Sequence, residues 1–207
     1  MSASIHAETS FDLSRGDLLF QDLAGDGATA IESVTAGYSD AEVSHIGMVV
    51  EARPIKAIEA INPEVRLTAL SEFLNRARDE LERPRVFVGR LKSDFRHLIP
   101  RAIDAARSLI GRPYDRLYMP SEEAYYCSEL VVDAFKCAND GNEFFPEHPM
   151  SFRNENTGQI LPYWERYFSK LNADVPDGQS GSNPGSISLS DRIDIVHRYG
   201  SITNWPL

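Results

Sequence analysis

The strongest constraint on the fold is a pair of apolar segments between residues 44 and 61, joined by a proline-containing turn. Ser44–Val50 alternates between apolar and other side chains, which is the period of a half-buried β-strand. His45 and Gly47 lie on the face opposite to the apolar residues. The apolar face consists of Ile46, Met48 and Val50. After a turn at residues 52–54, Ile55–Ile61 is expected to return antiparallel, so the segment predicts a hairpin with a histidine on one face.

The same hairpin brings a carboxylate near this histidine. If Val50 pairs close to Pro54, the numbers of paired residues add up to about 104, which places His45 opposite Glu59. A carboxylate there can hold one imidazole nitrogen as N–H and stabilise the imidazolium. An ordinary cross-strand ion pair at the surface would have the same register, so both interpretations stay open at this point.

A second feature is an amphipathic segment that begins at a cysteine. Cys127–Asn139 carries an apolar stripe at helical spacing, which predicts a helix packed against a sheet. The start of a helix stabilises a thiolate, because its backbone N–H groups are unpaired and the helix dipole is positive there. Cys127 is therefore a candidate nucleophile, although a cysteine on an apolar face is commonly just a small buried residue. Only the second interpretation applies to Cys137, and the two thiols are too far apart along one helix for a disulfide.

Periodicity and turn residues outline the rest of the chain. Strands are expected at Asp17–Phe20, Val86–Leu91 and Arg192–Tyr199. Helices are expected at Leu67–Leu81 and between Pro100 and Gly111. Long loops are expected at Arg112–Tyr126 and Asp177–Ser188, the second of which is rich in Gly, Ser and Pro.

Charge and hydropathy exclude several classes of protein. The chain has 21 Lys and Arg against 31 Asp and Glu, a net charge of −10, so it lacks the positive field that a nucleic-acid partner requires. No segment approaches the roughly 18–20 apolar residues that span a bilayer. Met1–Arg15 lacks the basic start and apolar stretch of a signal peptide, so a cytoplasmic location is expected, with the cell envelope as the alternative.

Metal and cofactor motifs are missing from the sequence. The 2 cysteines and 5 histidines do not occur at metal-ligand spacing. The short run Gly25–Gly27 lacks the spacing of a dinucleotide fingerprint or a P-loop. No cofactor and no metal are therefore expected.

Four short motifs occur in an order that resembles a known family. They are Ser44–Gly47, Ile58–Ala60, Gly111–Asp115 and Tyr126–Val131. Together they resemble the circularly permuted papain-like branch of the NlpC/P60 superfamily, the YiiX/YaeF-like group, in which the His and Glu precede the Cys. The resemblance implies an α+β papain-like fold, with a central antiparallel sheet or small barrel packed against the nucleophile helix. A single domain over residues 1–207 is expected, with residues 1–14 as a flexible or peripheral segment.

The resemblance also implies roles for particular residues. Cys127 corresponds to the nucleophile, His45 to the base and Glu59 to the residue that orients the imidazole.

Three further residues are candidates for oxyanion or substrate contacts. Tyr126 is expected near the oxyanion site, with the backbone N–H of Cys127 as one donor. Tyr114 and Asp115 are expected to shape the loop beneath the site.

The implied activity is thiol-dependent hydrolysis of an amide bond, in a cell-wall-type peptide or another N-acyl amide. Two alternatives stay open: a lipid- or peptide-binding module in which Cys127 is merely buried, and an acyltransferase that passes the acyl group to an amine or alcohol. The expected ligand is accordingly a small peptide, an amide or an acyl lipid. The sequence does not predict which of these it is, nor the oligomeric state.

Overall fold

The structure is a computed structural model that describes residues 11–121, 123–154 and 156–205. Most of its strands belong to one antiparallel sheet. These strands are β1 (Leu18–Gln21), β2 (His45–Ala52), β3 (Ile55–Ile61), β4 (Glu64–Ala69), β5 (Val86–Leu91) and β8 (Ile193–Arg198). Their order across the six-stranded sheet is β4-β3-β2-β1-β5-β8. A separate two-stranded ribbon pairs β6 (His148–Pro149) with β7 (Ser180–Gly181).

The helices lie between these strands. They are α1 (Asp26–Glu32), α2 (Leu70–Asn75), α3 (Ile99–Ser108), α4 (Cys127–Ala138), α5 (Pro162–Leu171) and α6 (Pro184–Ser188). Short 3₁₀ turns occupy Tyr38–Asp40 and Ser93–Leu98.

Both faces of the sheet are covered. The larger core joins one face of β1, β2 and β3 to the apolar sides of α3 and α4, and it includes Ile46, Met48 and Leu130. The opposite face packs against α2, whose Phe73 is fully buried beside Val49. Because the central strands are buried on both faces, polar side chains within them need partners inside the protein. This requirement applies directly to His45 and Glu59.

Several elements agree with the sequence-based predictions. Strand β3 and strand β5 have the predicted bounds, and α4 begins at the predicted Cys127. The mixed α+β architecture with α4 packed on an antiparallel sheet is confirmed. The alternation in β2 is also confirmed, since Ile46, Met48 and Val50 belong to the larger core while Val49 belongs to the smaller one.

Two predicted segments are wrong. Leu67–Leu81 is not one helix: its first residues belong to strand β4, α2 ends at Asn75, and Leu81 is exposed. Backbone pairing of β4 with β3 overrides the apolar spacing, which happens to suit a helix. The loop predicted at Asp177–Ser188 contains strand β7 and helix α6, whose first turn is capped by the Asn183 side chain.

Of the predicted flexible segment 1–14, residues 1–10 lie outside the described part of the chain. Phe11 stacks on the His197 ring at 4.4 Å, and Leu13 is buried in the smaller core. In the part of the chain that the structure describes, none of the helices is long and apolar enough to cross a membrane.

Candidate active site

The structure brings together the three residues predicted to form a triad. Nε2 of His45 lies 2.6 Å from Oε2 of Glu59, and both side chains are buried. The Cys127 side chain lies close enough to the His45 ring to raise its pKa. Since Glu59 occupies Nε2, Nδ1 is the ring nitrogen left for the thiol. The imidazole therefore lies between a carboxylate and a thiol, the arrangement that a general base beside a nucleophile requires.

Two element starts meet at this point. His45 is the first residue of β2, and Cys127 is the first residue of α4. At the start of α4 the backbone N–H groups of the first turn lack carbonyl partners within the helix. The Cys127 sulfur therefore lies where negative charge is favoured.

The hairpin register differs from the predicted one. Met48 pairs with Ile58, so paired numbers add up to 106 and His45 is not directly opposite Glu59. The shift is two residues, and an even shift leaves every side chain on its predicted face. Glu59 is consequently a diagonal neighbour of His45 on the same face, close enough for a hydrogen bond.

Glu59 has more partners than the sequence predicted. Nη1 of Arg76 lies 2.6 Å from Oε2, and Nη2 of the same guanidinium bonds to Oε1. The Thr68 hydroxyl also donates to Oε1. Glu59 is completely buried, so these bonds replace the water that its carboxylate would have at the surface. A network of this kind fixes the orientation of the carboxylate that His45 contacts.

These contacts shift the pKa of both members of the pair. Burial lowers the pKa of His45, but hydrogen bonds and negative charge from Cys127 and Glu59 outweigh burial and raise it to about 9. Burial raises the pKa of Glu59, but Arg76 and His45 outweigh it and hold this pKa well below its usual range. At neutral pH the pair is therefore an imidazolium and a carboxylate, and an imidazolium stabilises a neighbouring thiolate.

The residue before the nucleophile anchors another part of the chain. Tyr126 is the N-cap of α4, and its backbone N–H donates to Oε2 of Glu129 at 3.3 Å. Its hydroxyl accepts a hydrogen bond from the Ser182 N–H at 3.1 Å. Burial raises the pKa of Glu129 to about 8, helped by Asp133 and other carboxylates. Glu129 is thus mostly uncharged at neutral pH and adds little negative charge beside Cys127.

The predicted loop before α4 is ordered by Asp115. Its carboxylate accepts from the backbone N–H of Leu117 at 2.7 Å and of Met119 at 2.8 Å. Between them Tyr118 has a φ of 54°, a left-handed conformation that is uncommon for a tyrosine. Tyr114 and Tyr118 lie close enough together for each to shift the pKa of the other. The Asp115 carboxylate therefore orders this loop, and the loop presents Tyr114 and Tyr118 beside the thiol.

A cavity of about 140 Å³ opens at Cys127. Its walls come from the loop that carries Tyr114 and Tyr118 (the tyrosine loop), α1, α5, the β6–β7 ribbon and the start of α6. Tyr114 and Tyr126 line it, but Asp115 does not. A substrate held in this cavity would have its scissile bond beside the Cys127 thiol.

Several residues of the site escaped the sequence analysis. Arg76 lay within the segment predicted as a long helix, and nothing in its spacing linked it to Glu59. Trp164 of α5 lines the cavity, although no helix was predicted there. The signal for α5 was present: Pro162 begins the helix, and Trp164 and Phe168 follow at i, i+4 spacing on its buried side.

A helix that begins with a cysteine and packs on an antiparallel sheet is the arrangement of the papain-like amidases. The sequence agrees: residues 12–197 match the family described as permuted papain-like amidase enzyme, YaeF/YiiX, C92 family. The chain belongs to this family, which makes it a cysteine peptidase or amidase. No curated protein sequence matches the chain.

A solved structure is similar to this one over nearly its whole length. It is the crystal structure of yiiX from Escherichia coli O157:H7, described as a metalloprotein, and it is 20% identical. The match covers 91% of this chain and 98% of that chain, with a TM-score of 0.73. At this identity the similarity shows the fold. Within the described residues of the present chain, no group of three or more His, Cys, Asp or Glu could hold a metal ion.

Proposed function

We propose that this protein hydrolyses an amide bond through a Cys127–His45–Glu59 triad. The observation that carries the proposal is the position of the His45 imidazole, between the Glu59 carboxylate at 2.6 Å and the Cys127 thiol. Family membership supports the reaction class. The contacts of Glu59 with Arg76 and Thr68 support its role, because they hold the carboxylate toward Nε2.

The reaction starts from the thiolate of Cys127 and the imidazolium of His45. The sulfur attacks the carbonyl carbon of the amide, and the carbonyl oxygen becomes an oxyanion. The backbone N–H of Cys127 is one donor to this oxyanion, and Tyr126 is the candidate for another, since its phenol oxygen accepts from Ser182 and keeps its own proton to donate.

Collapse of this intermediate breaks the carbon–nitrogen bond. His45 gives its Nδ1 proton to the departing amine, leaving a thioester on Cys127 and a neutral imidazole. His45 then takes a proton from water, whose oxygen attacks the thioester. The products are a carboxylic acid and the restored thiolate–imidazolium pair. Throughout, Glu59 keeps Nε2 in the N–H form and stabilises the charged ring.

The test compares wild-type protein with Cys127→Ala, Cys127→Ser and His45→Ala on a panel of small amides. Each substitution is expected to abolish hydrolysis, and the Cys127→Ala, His45→Ala double variant should be no worse, because the thiol and imidazole act as one unit. Cys137→Ala is the matched control, since this thiol is exposed at the other end of α4. Hydrolysis that survives in Cys127→Ala would exclude thiol catalysis.

Labelling gives a second readout that does not need the natural substrate. Iodoacetamide should alkylate Cys127 at a pH well below about 8, where an unperturbed thiol reacts slowly. Peptide mapping by mass spectrometry separates this site from Cys137. A Cys127 that reacts no faster than Cys137 would argue for a binding module with a merely buried cysteine.

A further inference from the structure

The cavity beside Cys127 is small, and the ionisable side chains of its described wall are Cys127, His148 and three tyrosines. Its volume of about 140 Å³ is close to that of an apolar protein cavity that holds one benzene molecule, which is about 150 Å³. A long fatty acyl chain has several times the volume of benzene and would extend far beyond this space. None of the described residues that line the cavity is an Asp, Glu, Lys or Arg. A charged group buried there would lose its hydration and would find no carboxylate, ammonium or guanidinium group in the described wall as a counter-ion.

Three polar groups of the wall have no hydrogen-bond partner. The indole Nε1 of Trp164 and the hydroxyls of Ser128 and Ser182 are buried and unpaired among the described residues. All three residues line the cavity; Trp164 belongs to α5, Ser128 to the first turn of α4, and Ser182 follows β7. An unpaired buried donor destabilises the protein, and a ligand that supplies an acceptor recovers part of this loss. The indole N–H can only donate, so it selects an acceptor.

The remaining wall is mainly aromatic. Trp164 packs edge-on against Phe152 at 5.1 Å and against Tyr118 at 5.8 Å between ring centroids. These rings give the cavity a fixed shape, because each is held by its neighbours. A compact group with some apolar surface therefore fits better than a flexible polar one.

We propose that this cavity binds a compact, uncharged acyl group, about the size of one amino-acid residue, that carries its own hydrogen-bond acceptor. The acceptor pairs with the Trp164 indole N–H, and the Ser128 hydroxyl offers a second polar contact next to the thiol. This inference rests on the proposed amidase function, because it assumes that the scissile carbonyl lies at Cys127. The inference narrows the substrate class to compact acyl amides. The chemistry of the triad alone would also allow long-chain lipids and charged peptides.

The test measures binding in the Cys127→Ala protein, so that hydrolysis is not required. The probes are four amides titrated by calorimetry: hexanamide, acetylbutyramide, palmitamide and aminohexanamide. The first two are nearly equal in size, but acetylbutyramide carries a ketone acceptor. It is expected to bind about tenfold more tightly than hexanamide, which is the effect of one added hydrogen bond. Palmitamide and the charged aminohexanamide are expected to bind more weakly than hexanamide.

Trp164→Phe in the same background keeps an aromatic ring and removes the N–H. It should abolish the preference for acetylbutyramide over hexanamide, which is a ratio of two affinities measured in the same variant. Trp205→Phe is the matched control, because Trp205 packs on Phe87 and Tyr38, away from the cavity. Ser128→Ala gives an independent measurement if the Trp164 variant does not fold, with a smaller loss of the same preference expected.

Three results would overturn the inference. They are tightest binding by palmitamide or aminohexanamide, a preference for acetylbutyramide that persists in both variants, and no binding of either compact amide at millimolar concentration. Failure of the proposed function has a different signature: wild-type protein would leave all four amides intact while the Cys127→Ala protein still bound them in the expected order.

Discussion

The guanidinium of Arg76 and the buried carboxylate of Glu59 form a two-point ion pair, with Nη1 2.6 Å from Oε2 and Nη2 bonded to Oε1. Arg76 also lies over the Phe73 ring at 5.2 Å, and the same ring lies 5.7 Å from the His45 ring. The positive charge that keeps Glu59 ionised is therefore supplied by the residue just after α2, and its Nη1 shares Oε2 of Glu59 with Nε2 of the imidazole. This arrangement makes Arg76 a positioning residue for the proposed triad.

Arg76→Met should lower turnover by up to about 10²-fold, because Glu59 loses the charge that fixes its position and its ionisation. The pKa of Glu59 should rise, since its burial is then opposed by fewer partners. The acid limb of the pH–rate profile is expected to move to higher pH. Arg66→Met is the control, because Arg66 pairs with the exposed Glu72 at 2.8 Å. An unchanged pH profile in Arg76→Met would reduce Arg76 to a packing role.

The raised pKa of His45 predicts the alkaline limit of activity. The imidazolium persists above neutral pH, so activity that depends on it should be lost as the pH rises through about 9. In Glu59→Gln the burial that lowers the pKa of His45 is no longer opposed by the Glu59 carboxylate. The alkaline limb of the pH–rate profile should therefore move to lower pH. Turnover should fall by about 10²- to 10⁴-fold. The measurement is kcat/KM against pH for both proteins, with circular dichroism to check folding; coincident alkaline limbs would contradict a role for Glu59.

Gly47 is expected to tolerate no side chain. A Cβ at this position would lie 2.9 Å from Cε2 of Phe73 and 3.2 Å from the carbonyl oxygen of Ile58. Gly47→Ala should cost about 1–3 kcal/mol in the free energy of unfolding, measured in urea. It should also lower activity, because Phe73 packs against His45.

Gly89→Ala is the matched control for this loss of activity. Its Cβ would lie 2.8 Å from Cε2 of Phe20, which belongs to the larger core, whereas Phe73 belongs to the smaller core on the other face of the sheet. We expect a similar loss of stability with normal activity in the folded protein. Equal losses of activity in the two variants would show that Phe73 has no special link to the site.

Glu32 should make stability depend on pH near neutrality. Burial raises its pKa from 4.5 to about 7; the like charges of Asp22 and Glu42 add to this, and a hydrogen bond from Ser44 opposes it. Oδ1 of Asp22 and Oε1 of Glu32 are buried without a partner among the described residues, and one proton on Glu32 lets it donate to Asp22. The other oxygen of Asp22 is paired with Arg85.

The sign follows from proton binding. Between about pH 4.5 and 7 the folded state holds a proton that the unfolded state has released, so stability falls as the pH rises through this range. Glu32→Gln removes this dependence. At pH 8 the free energy of unfolding of Glu32→Gln should exceed that of the wild-type protein by about 1–2 kcal/mol, a figure that includes solvent screening of the charges. Thermal melts of both proteins from pH 4 to pH 8 check this; parallel curves would contradict it.

The sequence determined the hairpin, the start of α4 and the candidate triad, because these depend on local patterns. Alternation along β2 assigns each residue to a face regardless of register, so His45 and Glu59 were correctly placed on one face even though the pairing was two residues out. The helix from Cys127 is marked by its own apolar stripe. Order along the chain was enough to indicate the permuted family.

Tertiary structure alone decided what these residues contact. The Leu67–Leu81 pattern suited a helix, yet pairing with β3 made its beginning a strand and left Arg76 after a short helix, facing Glu59. The cavity likewise depends on Trp164 and the tyrosine loop. Trp164 is distant from Cys127 in the sequence, and the tyrosine loop has no clear periodic pattern. The physical reason is that ion pairs and cavity walls form between elements, with energies set by burial and distance in space, and neither quantity is encoded in the spacing of residues along one segment.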